Sequence, residues 1–521
     1  MQELGRMIKK LCSKLFSRIV ITGVLILIQA AWFWSLFTSL SSYAHWLNPL
    51  MIALSVIMCA VLIRQDSTAP EFKISWMVLF MIMPVQGGLL YLLWGDKRPA
   101  FRLRKKLDWA YDRIRPLRRT DPAAQAMLEQ ANPRAGRTAA YLRDLAAYPV
   151  YSGTNVKFYA SGEAVFPDLL EALESAQESI LLEFFIISKG KMWDAVHDVL
   201  RRKAAQGVDV RMIYDDVGCA TGLPAQYWKT LQVEGIQAVP FNPFVPLLNL
   251  VMNSRDHRKI VVVDGKTAFT GGFNLADEYI NQKERFGYWC DTGVRLQGPA
   301  AWSFATIFLE LWASQRPDDP GLDAYREEQP FPAEEPTIGL VQPYSDSPVD
   351  DENVSKNVYL DLITQAQETL WITTPYLILD NATMTALRLA AKRGVDVRIY
   401  TPGIPDKKMV YQLTCSYFEP LIRSGVKIYT FTPGFLHAKT WLVDGRIAVV
   451  GSINLDYRSL YHHFEDAVWM VDAPCIRDIE RDFQHTLEQC RTVENTSASI
   501  WQKHYLLRAT GMLLKVIAPL L

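Results

Sequence analysis

An excess of charge of either sign is missing from this chain: Lys and Arg total 55, and so do Asp and Glu. That balance disfavours a broadly basic nucleic-acid binder, although local patches remain open. Patterned cysteine is missing too. The 7 cysteines (Cys12, Cys59, Cys219, Cys290, Cys415, Cys475 and Cys490) form no CxxC pair. An odd, scattered set argues against a disulfide framework or a zinc site, and fits domains kept in a reducing compartment. The most telling absence is local. From Ile19 to Ile63 there is no Asp, Glu, Lys or Arg, a stretch unsuited to a solvated surface.

What fills that stretch is apolar, in a chain of 521 residues that is 50% hydrophobic. Ile19 to Leu40 would extend about 33 Å as a helix, enough to cross a bilayer core. Ser41-Ser42 and Asn48-Pro49 separate it from a second run, residues 46–63, and a third run covers residues 74–94. A cleaved signal peptide is disfavoured, because a second long run follows and no small-residue cleavage site is evident. Basic residues flank the region on both sides: Arg6, Lys9, Lys10, Lys14 and Arg18 before it, and Lys97, Arg98, Arg102, Arg104, Lys105 and Lys106 after it. The positive-inside rule puts both clusters in the cytoplasm and so asks for an even number of crossings. Pro84 and Gly87-Gly88 interrupt the third run, which makes it the candidate for a re-entrant segment, with a third span as the alternative. The expected layout is a membrane region over 1–95, then a basic juxtamembrane linker over 96–148 that either contacts anionic lipid or is merely solvated.

The remainder repeats itself. Ala176-Gln177-Glu178-Ser179-Ile180 matches Ala366-Gln367-Glu368-Thr369-Leu370, and Gly207-Val208-Asp209-Val210-Arg211 matches Gly394-Val395-Asp396-Val397-Arg398. Each copy reads as a strand (180–187; 370–379), a helix and a second strand (208–214; 395–400). Such βαβ units predict an α/β fold with a mainly parallel or mixed sheet flanked by helices. Two fused domains are expected, 149–315 and 344–490, joined by a Pro-rich acidic linker over 316–343. Residues 491–521 end the chain with Trp501, Tyr505, Leu513, Leu514 and Lys515, either an amphipathic interfacial helix or a core helix. The apolar, proline-broken segment Phe241 to Met252 either dips into the membrane or packs as a loop.

A third matched block carries the chemistry. His257-Arg258-Lys259, Asp264 and Gly271-Gly272-Phe273-Asn274 recur as His437-Ala438-Lys439, Asp444 and Gly451-Ser452-Ile453-Asn454, at a constant offset of 180 residues (257 to 437, 264 to 444, 274 to 454). In a strand, His and Lys two apart share a side and reach one anion together. The Asp before Gly marks the turn that ends the strand. Gly272 and Ser452 permit close backbone approach, and Asn274 and Asn454 add amide donors. Two facing copies would offer two imidazoles, two ammonium groups and two amides to one phosphate. No Asp/Glu cluster suggests a metal, and two lysines supply the charge neutralisation a divalent ion would otherwise give.

Both blocks match the HxKxxxxDxxxxxxG(G/S)xN signature of the phospholipase D superfamily. Thr374-Pro375-Tyr376, Gly451 to Ser459 and the apolar runs ahead of the domains resemble the bacterial cardiolipin synthases. The resemblance implies two phospholipase D-type domains with one site at their interface and no cofactor. It implies phosphatidyl transfer between two phosphatidylglycerols, through a phosphatidyl-histidine, to give cardiolipin and glycerol. It assigns His257 as nucleophile and His437 as acid and base. Lys259, Lys439, Asn274 and Asn454 would hold the phosphate, and Asp264 and Asp444 would have structural roles. Asp291 (in Trp289-Cys290-Asp291) is implied as the acid orienting His437, and Glu465 (in Phe464-Glu465-Asp466) as the acid orienting His257. His462-His463 lies close by in the chain without a ligand pattern.

The expected partners are phosphatidylglycerol and anionic membrane lipids and not nucleic acid, with a homo-oligomer left open. The expected location is the bacterial inner membrane, multi-pass, with the catalytic domains on the cytoplasmic side. Phosphatidylethanolamine as second donor, a hydrolase, a phosphatidylserine synthase, a nuclease and an inactive scaffold are the alternatives. A nuclease would gain little from membrane segments, and a scaffold would be expected to lose a motif residue.

Overall fold

The computed structural model describes residues 31, 44–65, 69–91, 95, 101–243, 254–319, 321–322, 325, 339–494, 514–516 and 518–520. Apart from residue 31 the expected span 19–40 falls outside them, as do most of the segments 241–252 and 491–521. The chain divides into two units, Met1–Phe101 with Phe244–Asn253 and Lys515–Leu521, and Arg102–Pro243 with Ser254–Leu514.

The smaller unit is built from helices Ala44–Ile63, Pro70–Ile82 and Pro84–Leu90. Among the described residues no helix is long and apolar enough to cross a membrane. His45, Asn48 and Pro49 occupy the first turns of helix Ala44–Ile63, and an uninterrupted run without charge follows from Leu50 to its end. The third run breaks at Met83, because Pro84 cannot continue the preceding hydrogen-bond ladder. Leu62, Trp76, Phe80 and Tyr91 form a small buried cluster, while Leu50, Ile52, Val56, Ile57, Val61 and Ile63 stay exposed.

Among the described residues the larger unit holds two large sheets and a two-stranded sheet of Tyr288–Cys290 and Gly434–Leu436. The first half contributes β1 (Asn155–Tyr159), β2 (Ser179–Phe184), β3 (Asp209–Asp215), β4 (Gln237–Phe241), β5 (Arg255–Asp256), β6 (Lys259–Val263), β7 (Thr267–Gly271), β8 (Tyr288–Cys290) and β9 (Gly293–Gln297). The second contributes β10 (Leu340–Asp346), β11 (Thr369–Thr373), β12 (Asp396–Pro402), β13 (Lys427–Phe431), β14 (Gly434–Leu436), β15 (Thr440–Val443), β16 (Ile447–Gly451), β17 (His463–Val471) and β18 (Cys490–Thr492). The strand orders are β1-β9-β7-β6-β2-β3-β4 and β10-β17-β16-β15-β11-β12-β13-β18.

Both large sheets are mixed, not mainly parallel. The βαβ crossovers make β2-β3-β4 and β11-β12-β13 parallel. Beyond the motif strands β6 and β15, the short turns at Asp264-Gly265 and Asp444-Gly445 fold the chain back as hairpins, so pairing there is antiparallel. Asp264 and Asp444 adopt left-handed backbone angles, φ 52° and 50°, which Asp tolerates better than most residues. Their carboxylates accept the backbone N–H groups of Gln177, Glu178 and Ser179, and of Gln367, Glu368 and Thr369, at 2.8–2.9 Å. Each motif Asp therefore fastens the start of the neighbouring strand, β2 or β11, at the opposite end of its strand from the motif Lys.

The stretch 96–148 is no simple linker from Phe101 onward. It folds into helices Phe101–Ile114, Pro122–Ala131 and Pro133–Asp144. Gln342 on β10 donates to the carbonyls of Ala139 and Tyr148, and Trp302 donates to that of Leu117 at 2.8 Å. Likewise Leu340–Pro343, expected to be linker, pair with β17.

Replacing Asp264 or Asp444 by Ala removes three backbone partners at once. Each change should lower stability by about 1–3 kcal/mol while leaving turnover per folded molecule near the parent value, as judged from thermal unfolding and activity of the same preparation. Full stability with lost turnover would contradict this structural role.

Candidate active site

Neither motif is one continuous strand, which corrects the expected shared-strand geometry. The chain runs as β5, pauses at His257-Arg258, and resumes as β6; in the second half it runs as β14, pauses at His437-Ala438-Lys439, and resumes as β15. The short leading strands pair across the halves: β5 with β17, and β14 with β8. Each motif histidine sits at the crossing. His257 donates its backbone N–H to the carbonyl of Phe464 at 2.9 Å, and His437 donates to that of Cys290 at 2.7 Å.

The side chains repeat this exchange. His257 Nδ1 lies 2.9 Å from both carboxylate oxygens of Glu465, and His437 Nδ1 lies 2.7 Å from Asp291 Oδ2. With Nδ1–H donating to the acid, each ring keeps an unprotonated Nε2. Both acids are fully buried. The ammonium groups of Lys259 and Lys439 donate to the backbone carbonyls of His257 and His437 respectively.

Charge in this site is costly by design. Burial pushes the His257 imidazole well below its ordinary value, and Lys259 and Lys439 push it further. His437 is lowered to about 4, by burial first and by Lys439 next, against the pull of Asp291. Burial lowers Lys439 to about 7 and moves Lys259 in the same direction. The Asp291 carboxyl lies below its usual range because His437 and Lys439 outweigh its burial. These buried cationic groups are therefore under-neutralised, and a phosphodiester placed among them would restore their protons.

The small residues act through the acids. A methyl group at Gly272 would collide with the Asp291 carboxylate. At the matching position the Ser452 hydroxyl donates to Glu465. Asn274 and Asn454, expected as phosphate donors, are tied into loops. Asn274 accepts from the Ile186 N–H at 2.9 Å and donates to the Tyr279 hydroxyl at 2.8 Å. Asn454 donates to the Ser459 hydroxyl at 3.1 Å. Each amide keeps a second N–H.

Several neighbours were not marked by sequence reasoning. Asp466 accepts the Lys259 N–H at 3.1 Å and the Thr270 hydroxyl, so it clamps β6 and β7 from the other half. Arg258, buried between Glu183 at 2.5 Å and Asp256 at 3.3 Å, also donates to Ser345. Phe185 meets the His257 ring edge-on at 5.0 Å. His463 lies 5.3 Å from that ring; its spacing two residues before Glu465 was the signal available. His257, His463 and Glu465 are also the group of three side chains, among the described residues, whose donor atoms lie close enough together to hold a metal ion, all within 4.8 Å of one another. Asp264 and Asp444 take no part in this cluster.

The chain is similar to known proteins. The family described as cardiolipin synthase, PLD-like domain, matches residues 169–311 and 359–487, and the phospholipase D-nuclease N-terminal family matches 53–95. An uncharacterized Streptococcus mutans protein is 42% identical over 86% of this chain and 96% of its own. The cardiolipin synthase of Halalkalibacterium halodurans is 32% identical, over 85% and 88%. Cardiolipin synthase 1 of Bacillus anthracis is 32% identical, over 90% and 93%. In fold, the chain resembles the phosphatidylserine synthase of Haemophilus influenzae, with a TM-score of 0.54 and 17% identity over 73% of this chain and all of that one. With both motifs complete and the match extending over most of its length, the chain belongs to the bacterial cardiolipin synthases of the phospholipase D superfamily.

Proposed function

We propose that the chain joins two phosphatidylglycerols into cardiolipin and glycerol by way of a phosphatidyl-histidine. The observation that carries this reading is the pair of histidines, each bonded to an acid from the other half, among two buried ammonium groups. In the first step His257 Nε2 attacks phosphorus and the bond to the headgroup glycerol oxygen breaks. His437, protonated on Nε2 once the phosphodiester is bound, gives that oxygen its proton. In the second, a headgroup hydroxyl of another phosphatidylglycerol attacks phosphorus, His437 takes its proton, and the P–N bond breaks. Glu465 and Asp291 hold the Nδ1–H tautomers and steady each imidazolium as it forms. Lys259 and Lys439 offset the phosphate charge, together with the second N–H of Asn274 and Asn454.

Purified enzyme given phosphatidylglycerol alone should release cardiolipin and glycerol in equal amounts; phosphatidic acid as the main product would replace transfer by hydrolysis. The same assay run across pH tests the electrostatics. Lys439, lowered to about 7 in the free site, loses its proton above that pH and with it the attraction for phosphate. The alkaline limb of kcat/KM should therefore fall near 7, and that of kcat higher, because bound phosphate raises the ammonium pKa. Coincident limbs would contradict the assignment.

The proposed location is the bacterial inner membrane, multi-pass, with the catalytic unit on the cytoplasmic side. Support comes from the exposed apolar side chains of helices Ala44–Ile63 and Pro70–Ile82 and from the flanking basic clusters. Single cysteines introduced at Gln2 and Ala100 should resist impermeant reagents added to intact cells. Labelling of either from outside would overturn this orientation.

A further inference from the structure

Two residues ahead of each orienting acid stands a nitrogen-bearing ring, and on β17 strand alternation puts His463 and Glu465 on one face. Trp289 precedes Asp291, and its indole Nε1–H donates to Asp291 Oδ2 at 3.4 Å. His463 precedes Glu465, and its Nδ1 lies 3.6 Å from Glu465 Oε1. That nitrogen is buried and has no hydrogen-bond partner, a costly state unless it serves a neighbour. Each ring also packs on the motif histidine that its acid orients. The centroids are 5.1 Å apart for Trp289 and His437, and 5.3 Å for His463 and His257.

We infer that Trp289 and His463 are matched positioning residues, each setting the plane of one motif imidazole and sharing the charge of its orienting acid through a ring N–H. The sequence hides the match, because one half uses an indole and the other an imidazole. Both rings remain neutral, the indole donating to Asp291 and the His463 Nδ1–H facing Glu465 from 3.6 Å: the indole does not titrate, and burial lowers His463 to about 3. The charged or titratable groups acting on His463 are Glu465, His257 and Arg458. Those acting on His257 include Lys259, Lys439, His437 and Lys407, and those acting on His437 include Lys439, Asp291 and Lys259.

A carboxylate that accepts an additional N–H stabilises an adjacent imidazolium less. Removing the ring N–H should therefore raise the pKa of the facing histidine as well as loosen its plane. The inference takes its assay from the proposed reaction but rests on its own geometry, so turnover is read as glycerol release, which transfer and hydrolysis both produce.

The variants are Trp289→Phe and His463→Phe, which keep a ring and lose the donor, and His463→Asn, whose amide N–H can replace Nδ1–H. The two Phe variants should lose about tenfold in kcat with KM within about twofold. The limb of the kcat–pH profile that each histidine governs should move up by about half to one unit. His463→Asn should recover most of the kcat lost in His463→Phe. Thermal unfolding on the same samples accounts for any loss of folded enzyme. Unmoved pH limbs in both Phe variants would overturn the inference, as would an Asn variant no better than Phe. Loss of cardiolipin with glycerol still released and the limbs shifted would overturn the transfer reading and leave this one standing.

Discussion

Everything at the site depends on the exchange of backbone hydrogen bonds where each motif crosses between the halves. Without β5 on β17 and β14 on β8, neither histidine would have a fixed backbone. Neither acid would reach its ring, because Glu465 and Asp291 come from the half opposite their histidines. A single copy of the repeat thus lacks a complete His–acid pair, and the duplication matters chemically because each copy completes the other. Asp466, gripping β6 and β7 from β17, adds a further tie across the same boundary.

That arrangement concentrates buried charge, and the charge explains the chemistry. Isolated buried ammonium and imidazolium groups are unstable, and here burial lowers both histidines and both lysines. In the proposed reaction a phosphodiester would relieve this, meeting two ammonium groups and a neutral Nε2. Cardiolipin synthesis needs the same site twice, once for each alcohol. In the proposed mechanism, one histidine from each half would meet that need without moving the intermediate.

Much of this was legible because the motif residues recur at one offset, and duplication turns a weak His-x-Lys pattern into a strong one. The βαβ halves were legible from their alternation of apolar strands and helices. The hairpin half of each sheet was not, since a run such as Ile260 to Val263 reads alike in parallel or antiparallel pairing. The break of each motif strand was likewise hidden, because it is set by pairing with residues 208 positions away in the first half (463 − 255) and 146 in the second (434 − 288). His463 was visible only as half of a tandem pair. Its meaning comes from lying on the Glu465 face of β17, which requires the strand register.

The central claim is that one histidine from each half serves one phosphate in different roles. Incubation of His437→Ala with phosphate-labelled phosphatidylglycerol, followed by peptide mapping, tests it most directly. The account predicts acid-labile, base-stable label accumulating on the peptide that contains His257, and none in His257→Ala. Cardiolipin formed by the parent enzyme with no label trapped on either histidine peptide would contradict it.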